Sequence, residues 1–151
     1  MKIRTKFYGE LEIAEEEIIC FPNGLPGFEN DDQFIYIHQD QAVFGCLQSC
    51  KNPDTAFVVI SPFTICPDYN FELPDEKAKE LGISKTEEVL LLSIVTIPQG
   101  KPNDATVNLQ APIVINTTEK KGAQIILTDL GYPLHCRLWA EKPNKAATAG
   151  K

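Results

Sequence analysis

The distribution of proline and glycine is the feature that most constrains how this chain can fold. Eleven prolines and nine glycines interrupt its 151 residues, and the apolar runs between them are short and rich in Val, Ile and Phe. Such runs are typical of β-strands, because Pro and Gly break helices while β-branched and aromatic residues favour an extended chain. The pattern predicts strands at Ile18–Phe21, Phe34–His38, Phe44–Ser49, Ala56–Ile60, Val89–Ile97, Pro112–Asn116 and Ala123–Thr128.

Residues 1–13 alternate charged and apolar side chains and predict a β-hairpin. A three-residue connection pairs Lys6 with Glu10 and Arg4 with Glu12, and it gathers the apolar residues on the opposite face. A two-residue connection would place an aromatic ring opposite a carboxylate. The pattern therefore favours the longer loop, which ends at a glycine able to adopt a positive φ.

Only one segment has the pattern of a helix. Pro74 suits the first helical position, acidic residues follow it, and Gly82 provides a C-terminal stop. Ser84 and Glu87 resemble a capping box but lead straight into an apolar run, which predicts a single short turn. Many short strands with one short helix near residues 74–82 predict a mostly β, single-domain fold, an antiparallel β-barrel-like arrangement or a sandwich. We expect the domain to span residues 1–138 and the polar tail 139–151 to be disordered.

Acidic residues are concentrated in the first half of the chain. Residues 1–76 contain 14 acidic and four basic residues, whereas residues 77–151 contain seven acidic and ten basic ones. A nucleic-acid backbone is bound by clustered Lys and Arg, so this balance disfavours direct RNA binding on an OB-like barrel. An acidic half suits a basic protein partner, or it serves only to keep the protein in solution.

The cysteines and the N-terminus bear on where the protein acts. The chain has five cysteines, an odd number, and its N-terminus has no apolar signal-peptide core. No run approaches the roughly 18–20 apolar residues that span a membrane. We expect a cytoplasmic protein with reduced thiols and no membrane association. The thiols act as small hydrophobic side chains, or a zinc site forms from Cys46, Cys50, Cys66 and His135.

Sequence signatures of catalysis are absent. His38 lies in an alternating strand, and His135 and Cys136 are neighbours that point to opposite faces of an extended chain. No nucleophile elbow, phosphate-binding loop or zinc-protease motif occurs. The acidic clusters at 15–17 and 29–32 are typical of solvated surface. We therefore expect a binding protein that is not an enzyme and needs no cofactor, with a small-ligand or metal-dependent β-barrel enzyme as the alternative.

Seven segments, many of them proline-bounded, carry a resemblance to a known family. They are "FPNGLPGFE" (21–29), "LQS" (47–49), "AFVVISPF" (56–63), "PDYNFEL" (67–73), "IVTIP" (94–98), "ATVNLQAPIVIN" (105–116) and "QIILTD" (124–129). In this order they resemble the flagellar assembly factor FliW family over roughly residues 1–135. The five cysteines depart from that pattern, and "YPLHCRLW" near the C-terminus matches it only loosely.

The resemblance implies a β-rich, barrel-like regulator of flagellar assembly. Family members bind flagellin in the cytoplasm and also bind CsrA, a small translational repressor that binds RNA. Binding of CsrA relieves the repression of flagellin mRNA, and free flagellin competes for the factor and restores repression. The resemblance thus implies flagellin and CsrA as partners of a non-catalytic protein, which we expect to be a monomer without a cofactor.

The segments also indicate candidate contact residues. A repressor that binds RNA presents Lys and Arg, so acidic side chains suit it, while apolar anchors suit the apolar helical surfaces of flagellin. The candidates are Glu15, Glu16, Glu17, Leu25, Phe28, Glu29, Asp31, Asp32, Phe63, Tyr69 and Asn108.

Overall fold

The computed structural model describes residues 1–138, and the expected tail at 139–151 lies outside the described residues. Two short helices occur, α1 (Pro62–Ile65) and α2 (Asp75–Leu81), with 3₁₀ turns at Glu15–Glu17, Thr86–Glu88 and Pro102–Asp104. The strands are β1 (Lys2–Arg4), β2 (Glu10–Glu12), β3 (Ile19–Cys20), β4 (Gln33–Ile37), β5 (Phe44–Ser49), β6 (Ala56–Ile60), β7 (Val89–Thr96), β8 (Thr106–Val107), β9 (Ile113–Asn116), β10 (Lys121–Gln124) and β11 (Cys136–Arg137).

Seven of these strands form a closed barrel. Strands β3 to β7 follow one another as antiparallel neighbours, β7 pairs with β9, and β9 pairs with β10. The ring closes between β10 and β3, where Lys121 pairs with Cys20 in parallel orientation. The prediction of a mostly β, barrel-like fold is confirmed, and the parallel closing pair is the exception to its antiparallel arrangement.

Several barrel strands are buried on both faces. The inward side chains form an interior cluster that includes Phe21, Phe34, Leu47, Val59 and Ile113. On the outside, the residues between β6 and β7 and the C-terminal segment cover β7 and β9. Alternate residues of these strands therefore enter different clusters, as the two-residue period of a strand requires.

The N-terminal hairpin packs against the outer face of β4, where Ile3 and Ile13 meet Ile35. Its predicted register is wrong by two residues, because Lys2 pairs with Glu12 and Arg4 with Glu10. A five-residue loop connects the strands. The Thr5 hydroxyl donates to the Gly9 carbonyl over 2.7 Å, and the Lys6 amide donates to Gln48 Oε1 over 2.9 Å. These two contacts take residues 5 and 6 out of the ladder.

All seven predicted strand segments contain or overlap a strand, and β5 and β6 have the predicted bounds. The strand predicted at Ala123–Thr128 is shifted, because β10 starts at Lys121 and the backbone beyond Gln124 is irregular. The predicted helix is confirmed, and Gly82 ends it in the left-handed conformation with a φ of 68°. Pro74 is the N-cap residue and not the first helical residue as predicted, because its ψ of 140° is extended. The capping prediction chose the wrong acid, since Glu88 accepts the Ser84 amide over 3.0 Å. Sequence reasoning did not identify β8, β11 or α1.

Candidate functional site

Residues 21–32, called the corner loop below, connect β3 to β4 at one end of the barrel. The Phe28 amide donates to the Leu25 carbonyl over 2.7 Å. Pro26 and Gly27 lie between them, and Gly27 has a φ of 84°, the arrangement of a type II turn. This turn directs two apolar side chains to different environments. Leu25 is 1% exposed within the interior cluster, whereas Phe28 is 40% exposed.

A buried polar network anchors the corner loop to β5. Asp31 is 5% exposed, and its carboxylate accepts the Ser49 hydroxyl over 2.9 Å and the Asn52 side-chain amide over 3.3 Å. The fully buried Gln48 amide donates to carbonyls of the turn after β5, among them that of Thr55 over 3.3 Å. The network therefore fixes the loop, and it satisfies the Asp31 carboxylate within the chain.

The acidic turn, residues Glu15–Glu17, immediately precedes β3, and all three side chains are exposed. At about 3.3 Å per residue, the four residues from Glu17 to Phe21 place the acidic turn within roughly 13 Å of the corner loop. Glu29 lies exposed in that loop and accepts the Gly27 amide over 3.1 Å. These segments give the region around β3 four exposed carboxylates, an acidic surface bordered by Lys120 and by Lys121 of the strand that pairs with Cys20.

Asp32 is also on the surface, but it has a basic neighbour. The Lys51 ammonium donates to Asp32 Oδ1 over 2.8 Å. This contact lowers the pKa of Asp32 and raises that of Lys51. Both side chains remain about half exposed, so the pair is an ordinary surface ion pair that solvent screens.

A second concave surface, called the apolar groove below, lies outside the barrel against β7 and β9. Its volume is about 430 Å³. One wall is the segment 69–73, the other is the segment 83–86, and Leu91 and Val114 form part of the floor. Phe63 is 46% exposed at this groove, and its ring meets that of Tyr69 edge-on at 6.1 Å.

Hydrogen bonds hold both walls of the apolar groove. The Tyr69 hydroxyl donates to the Leu109 carbonyl over 2.7 Å, and burial raises the pKa of Tyr69. The Tyr132 hydroxyl donates to the Asn70 carbonyl over 3.0 Å. In the opposite wall, the Ser84 and Lys85 amides donate to Glu88 and hold the pKa of its carboxyl below the usual value.

The predicted site residues fall into two regions. Glu15, Glu16, Glu17, Leu25, Phe28, Glu29, Asp31 and Asp32 lie at or beside β3, whereas Phe63 and Tyr69 lie at the apolar groove. Leu25, Asp31 and Tyr69 are buried. Asn108 is half-buried, and its side-chain oxygen accepts the amides of Gln110 and Ala111. These four side chains position the surface, Asp32 is half-buried beside Lys51, and the others are exposed.

Sequence reasoning missed two sets of residues. Gln48, Ser49 and Asn116 are polar and fully buried, and Asn116 donates to the Leu81 carbonyl at the end of α2 over 2.8 Å. No local pattern marks their burial, since each also bonds one partner that is distant in sequence, namely Lys6, Asp31 and Leu81 respectively. The second set is a pair of exposed apolar side chains at the tip of the hairpin. Phe7 of the tip is 52% exposed, and it lies beside Ile97, which follows β7 and is 49% exposed.

The zinc alternative finds no support in the geometry. Within residues 1–138, no group of three or more His, Cys, Asp and Glu side chains is placed to hold a metal ion, so Cys46, Cys50, Cys66 and His135 do not converge. The five thiols are free. Among the described helices, none has the length and hydropathy to cross a membrane.

Comparison with known proteins assigns the family. The model of the family described as "FliW protein" matches residues 2–138. The chain belongs to the FliW family. A crystal structure of the flagellar assembly factor FliW aligns with a TM-score of 0.86 and 40% identity, covering 94% of this chain and 99% of that one.

Two curated relatives, both described as flagellar assembly factor FliW, agree with this assignment. The relative from Caldicellulosiruptor saccharolyticus is 45% identical over 137 residues, which are 91% of this chain and 90% of that protein. The relative from Geobacillus kaustophilus is 41% identical over 145 residues, covering 96% of this chain and all of that protein. The chain is thus a flagellar assembly factor of the FliW type.

Proposed function

We propose that this FliW-family chain is a non-enzymatic, monomeric regulator that acts in the cytoplasm by switching between two protein partners. One is flagellin, and the other is a CsrA-type translational repressor. Binding of the repressor releases flagellin mRNA for translation, and flagellin that accumulates displaces the repressor. The family assignment supports a role in flagellar assembly, and the surface described above supports the choice of a basic partner.

The acidic surface around β3 is the observation that carries this proposal. The described residues 1–138 contain 20 acidic and 11 basic residues. Glu15, Glu16, Glu17 and Glu29 are all exposed beside the same short strand. A protein that holds RNA phosphates presents clustered Lys and Arg, and a fixed acidic surface both steers its approach and opposes RNA through like-charge repulsion.

The remaining candidate residues have two proposed roles, since some contact a partner and others hold the binding surface in place. Phe28 and Phe63 expose their rings and are proposed to contact flagellin directly. Leu25, Tyr69 and Asp31 are buried and hold the corner loop and the groove wall in place, and Asn108 fixes the turn that leads to Ala111. Asp32 contributes charge only partly, because Lys51 neutralises it locally.

The test reverses the acidic turn. In Glu15→Lys/Glu16→Lys/Glu17→Lys, we expect slower association with purified CsrA and a weaker dependence of the association rate on salt, because steering falls with ionic strength. A variant with Asp40, Glu119 and Asp129 changed to Lys has the same net charge and is the matched control. Equal association rates for the two variants would contradict the proposed role of the turn.

A pulldown from flagellated cells tests the proposal as a whole. Flagellin and the CsrA-type repressor are the expected prey, and each should displace the other from the immobilised protein. Capture of neither partner, with the protein folded by circular dichroism, would refute partner switching.

A further inference from the structure

The apolar groove combines a concave shape with an unusual composition. Of its 14 lining residues, only Glu72 and Lys85 carry charge. Its volume of about 430 Å³ lies within the range of about 300–1,000 Å³ that is usual for ligand-binding sites. The apolar lining residues are Phe63, Phe71, Leu73, Ala78, Ile83, Val89, Leu91 and Val114.

The groove is held open by contacts within the chain. Tyr69 is bonded to Leu109, Asn70 to Tyr132, and Glu88 to the amides of the opposite wall. Two distant parts of the sequence, at Leu109 and Tyr132, therefore fix one wall, and Glu88 fixes the other wall locally. A partner would not have to order them, so little of its binding free energy is lost on assembling the site.

Charge around the groove indicates which partner suits it. Residues 68–88, which form both walls and α2, contain seven acidic and three basic side chains. One of the three, Lys77, pairs with Glu80 on the same helix over 3.3 Å. The surroundings of the groove are thus acidic while its lining is apolar, and a complementary partner has an apolar stripe with basic residues beside it.

We propose that the apolar groove binds one amphipathic α-helix of a protein partner, with an apolar face flanked by Lys or Arg. The apolar side chains at positions i, i+3, i+4 and i+7 enter the groove, and the helix lies across its mouth. Phe63 contacts the helix at the rim, and Glu72 pairs with a basic flank. The inference rests on the proposed function for the source of the helix, a partner in flagellar assembly.

The experiment uses a synthetic probe, so that the groove is tested apart from any natural partner. The probe is a fluorescein-labelled peptide of about four helical turns, with Leu at i, i+3, i+4 and i+7 and Lys on both flanks. A second peptide has Glu in place of Lys. Fluorescence anisotropy with the full chain measures affinity, and amide chemical shifts locate the bound peptide.

We expect the Lys-flanked peptide to bind and to shift amides at 69–73 and 83–86. Phe63→Asp and Ala78→Phe, which respectively charge the rim and fill the groove, should each weaken binding by about tenfold or more. Glu72→Lys should weaken binding of the Lys-flanked peptide and strengthen that of the Glu-flanked one. Phe7→Asp makes the same change at an exposed ring of the hairpin tip and should leave affinity unchanged.

Several results would overturn the proposal. They are equal affinity for wild type, Phe63→Asp and Ala78→Phe, amide shifts confined to other surfaces, and no binding at about 1 mM peptide. Self-association that Phe63→Asp abolishes would make a second copy of the chain the occupant instead. Capture of flagellin and CsrA without peptide binding would refute the groove alone, and peptide binding without either capture would refute the proposed function alone.

Discussion

At the scale of single residues, neighbours in the corner loop have opposite environments. Glu29 is exposed, whereas Asp31, two positions later, is 5% exposed and bonded to Ser49 and Asn52. The sequence pattern treats both as surface acids, because an acidic cluster carries no sign of which carboxylate turns inward. Asp31 is the carboxylate that turns inward because Ser49 on β5 lies where its hydroxyl can donate to it. Alanine substitutions at the two positions should therefore differ in effect.

Asp31→Ala is expected to lower the free energy of unfolding by about 1–3 kcal/mol, because it leaves the buried Ser49 hydroxyl without its acceptor. Glu29→Ala is the matched control and should change stability by less than about 0.5 kcal/mol. Urea denaturation followed by circular dichroism measures both. Similar midpoints for the two variants would show that the buried network does not stabilise the loop.

The two apolar residues of the corner loop should also differ. Leu25→Ala is expected to cost about 2–5 kcal/mol, because the Leu25 side chain is buried in the interior cluster. Phe28→Ala removes a half-exposed ring that meets Phe57 edge-on at 5.3 Å, and it should cost only about 0.5–1.5 kcal/mol.

A flagellin pulldown then tests whether Phe28 has a role in binding. Phe28→Ala should remain folded and lose affinity for flagellin in a pulldown. Unfolding of Phe28→Ala would show that Phe28 is a structural residue, and full retention of flagellin by the folded variant would show that Phe28 does not contact flagellin.

At the scale of elements, the corner loop depends on one close approach. A Cβ on Gly24 would lie 2.6 Å from both the Phe28 carbonyl oxygen and the Glu29 Cα, and the φ of 64° is strained for other residues. Gly24→Ala should therefore cost more than the roughly 1–2 kcal/mol of a positive φ alone. Gly100→Ala has a similar φ of 76° without any neighbour within 4 Å, and it serves as the control in thermal unfolding.

The turn before β7 makes stability depend on acid pH. The amides of Ser84 and Lys85 hold the pKa of Glu88 below the ordinary value of 4.5 for a glutamate. The stabilisation is therefore complete above this value and is lost as the pH falls through the lowered pKa. Glu88→Gln should be less stable than wild type at pH 7, and the difference should shrink below pH 4.5 in denaturant titrations. A difference that is constant across pH would exclude this carboxylate as the cause.

Sequence patterns predicted the bounds of an element correctly where residues within that element determine them. The bounds of β5 and β6, and the stop of α2 at Gly82, follow from residues within each segment. The register of the hairpin does not, because the Lys6 amide bonds to Gln48, 42 positions away. The acid that caps the turn before β7 was misplaced by one residue, because the N-cap position is Lys85 and not Ser84, and the three-residue spacing runs from Lys85 to Glu88.

At the scale of the whole molecule, the barrel and its outer layers differ in how firmly they are held. Strand β5 has paired neighbours on both sides, with five residue pairs to β6 and four to β4. The β1–β2 hairpin has three residue pairs and forms a separate two-stranded sheet. A two-stranded hairpin contributes little stability of its own and opens locally.

Hydrogen exchange should therefore separate the two. In mass spectrometry of the native protein, amides of β5 are expected to exchange at the rate of global unfolding, and those of β1 and β2 much sooner. Deletion variants are not needed, because peptides from residues 1–13 and 44–49 are compared within one sample. Equal protection of both peptides would show that the hairpin and the barrel open as one unit.

The candidate site belongs to this largest scale, which limits how far sequence alone reveals it. Phe63 and Tyr69 were identified individually from their proline-bounded segments. The groove they share also needs Ile83, Leu91 and Val114, which come from a turn and two strands elsewhere in the chain. Their meeting depends on the pairing of β7 with β9, in which Leu91 lies opposite Val114 and which no local period encodes.

Closure between β3 and β10 also bears on how the protein is made. Cys20 and Lys121 are about 100 residues apart in the sequence. Because a ribosome adds about 5–20 residues per second, Lys121 is synthesised roughly 5–20 s after Cys20. During that time the free side of β3 has no partner and offers open backbone groups to other nascent chains. Final folding therefore comes late in synthesis, and crowded polysomes are where this protein is most exposed to misassembly.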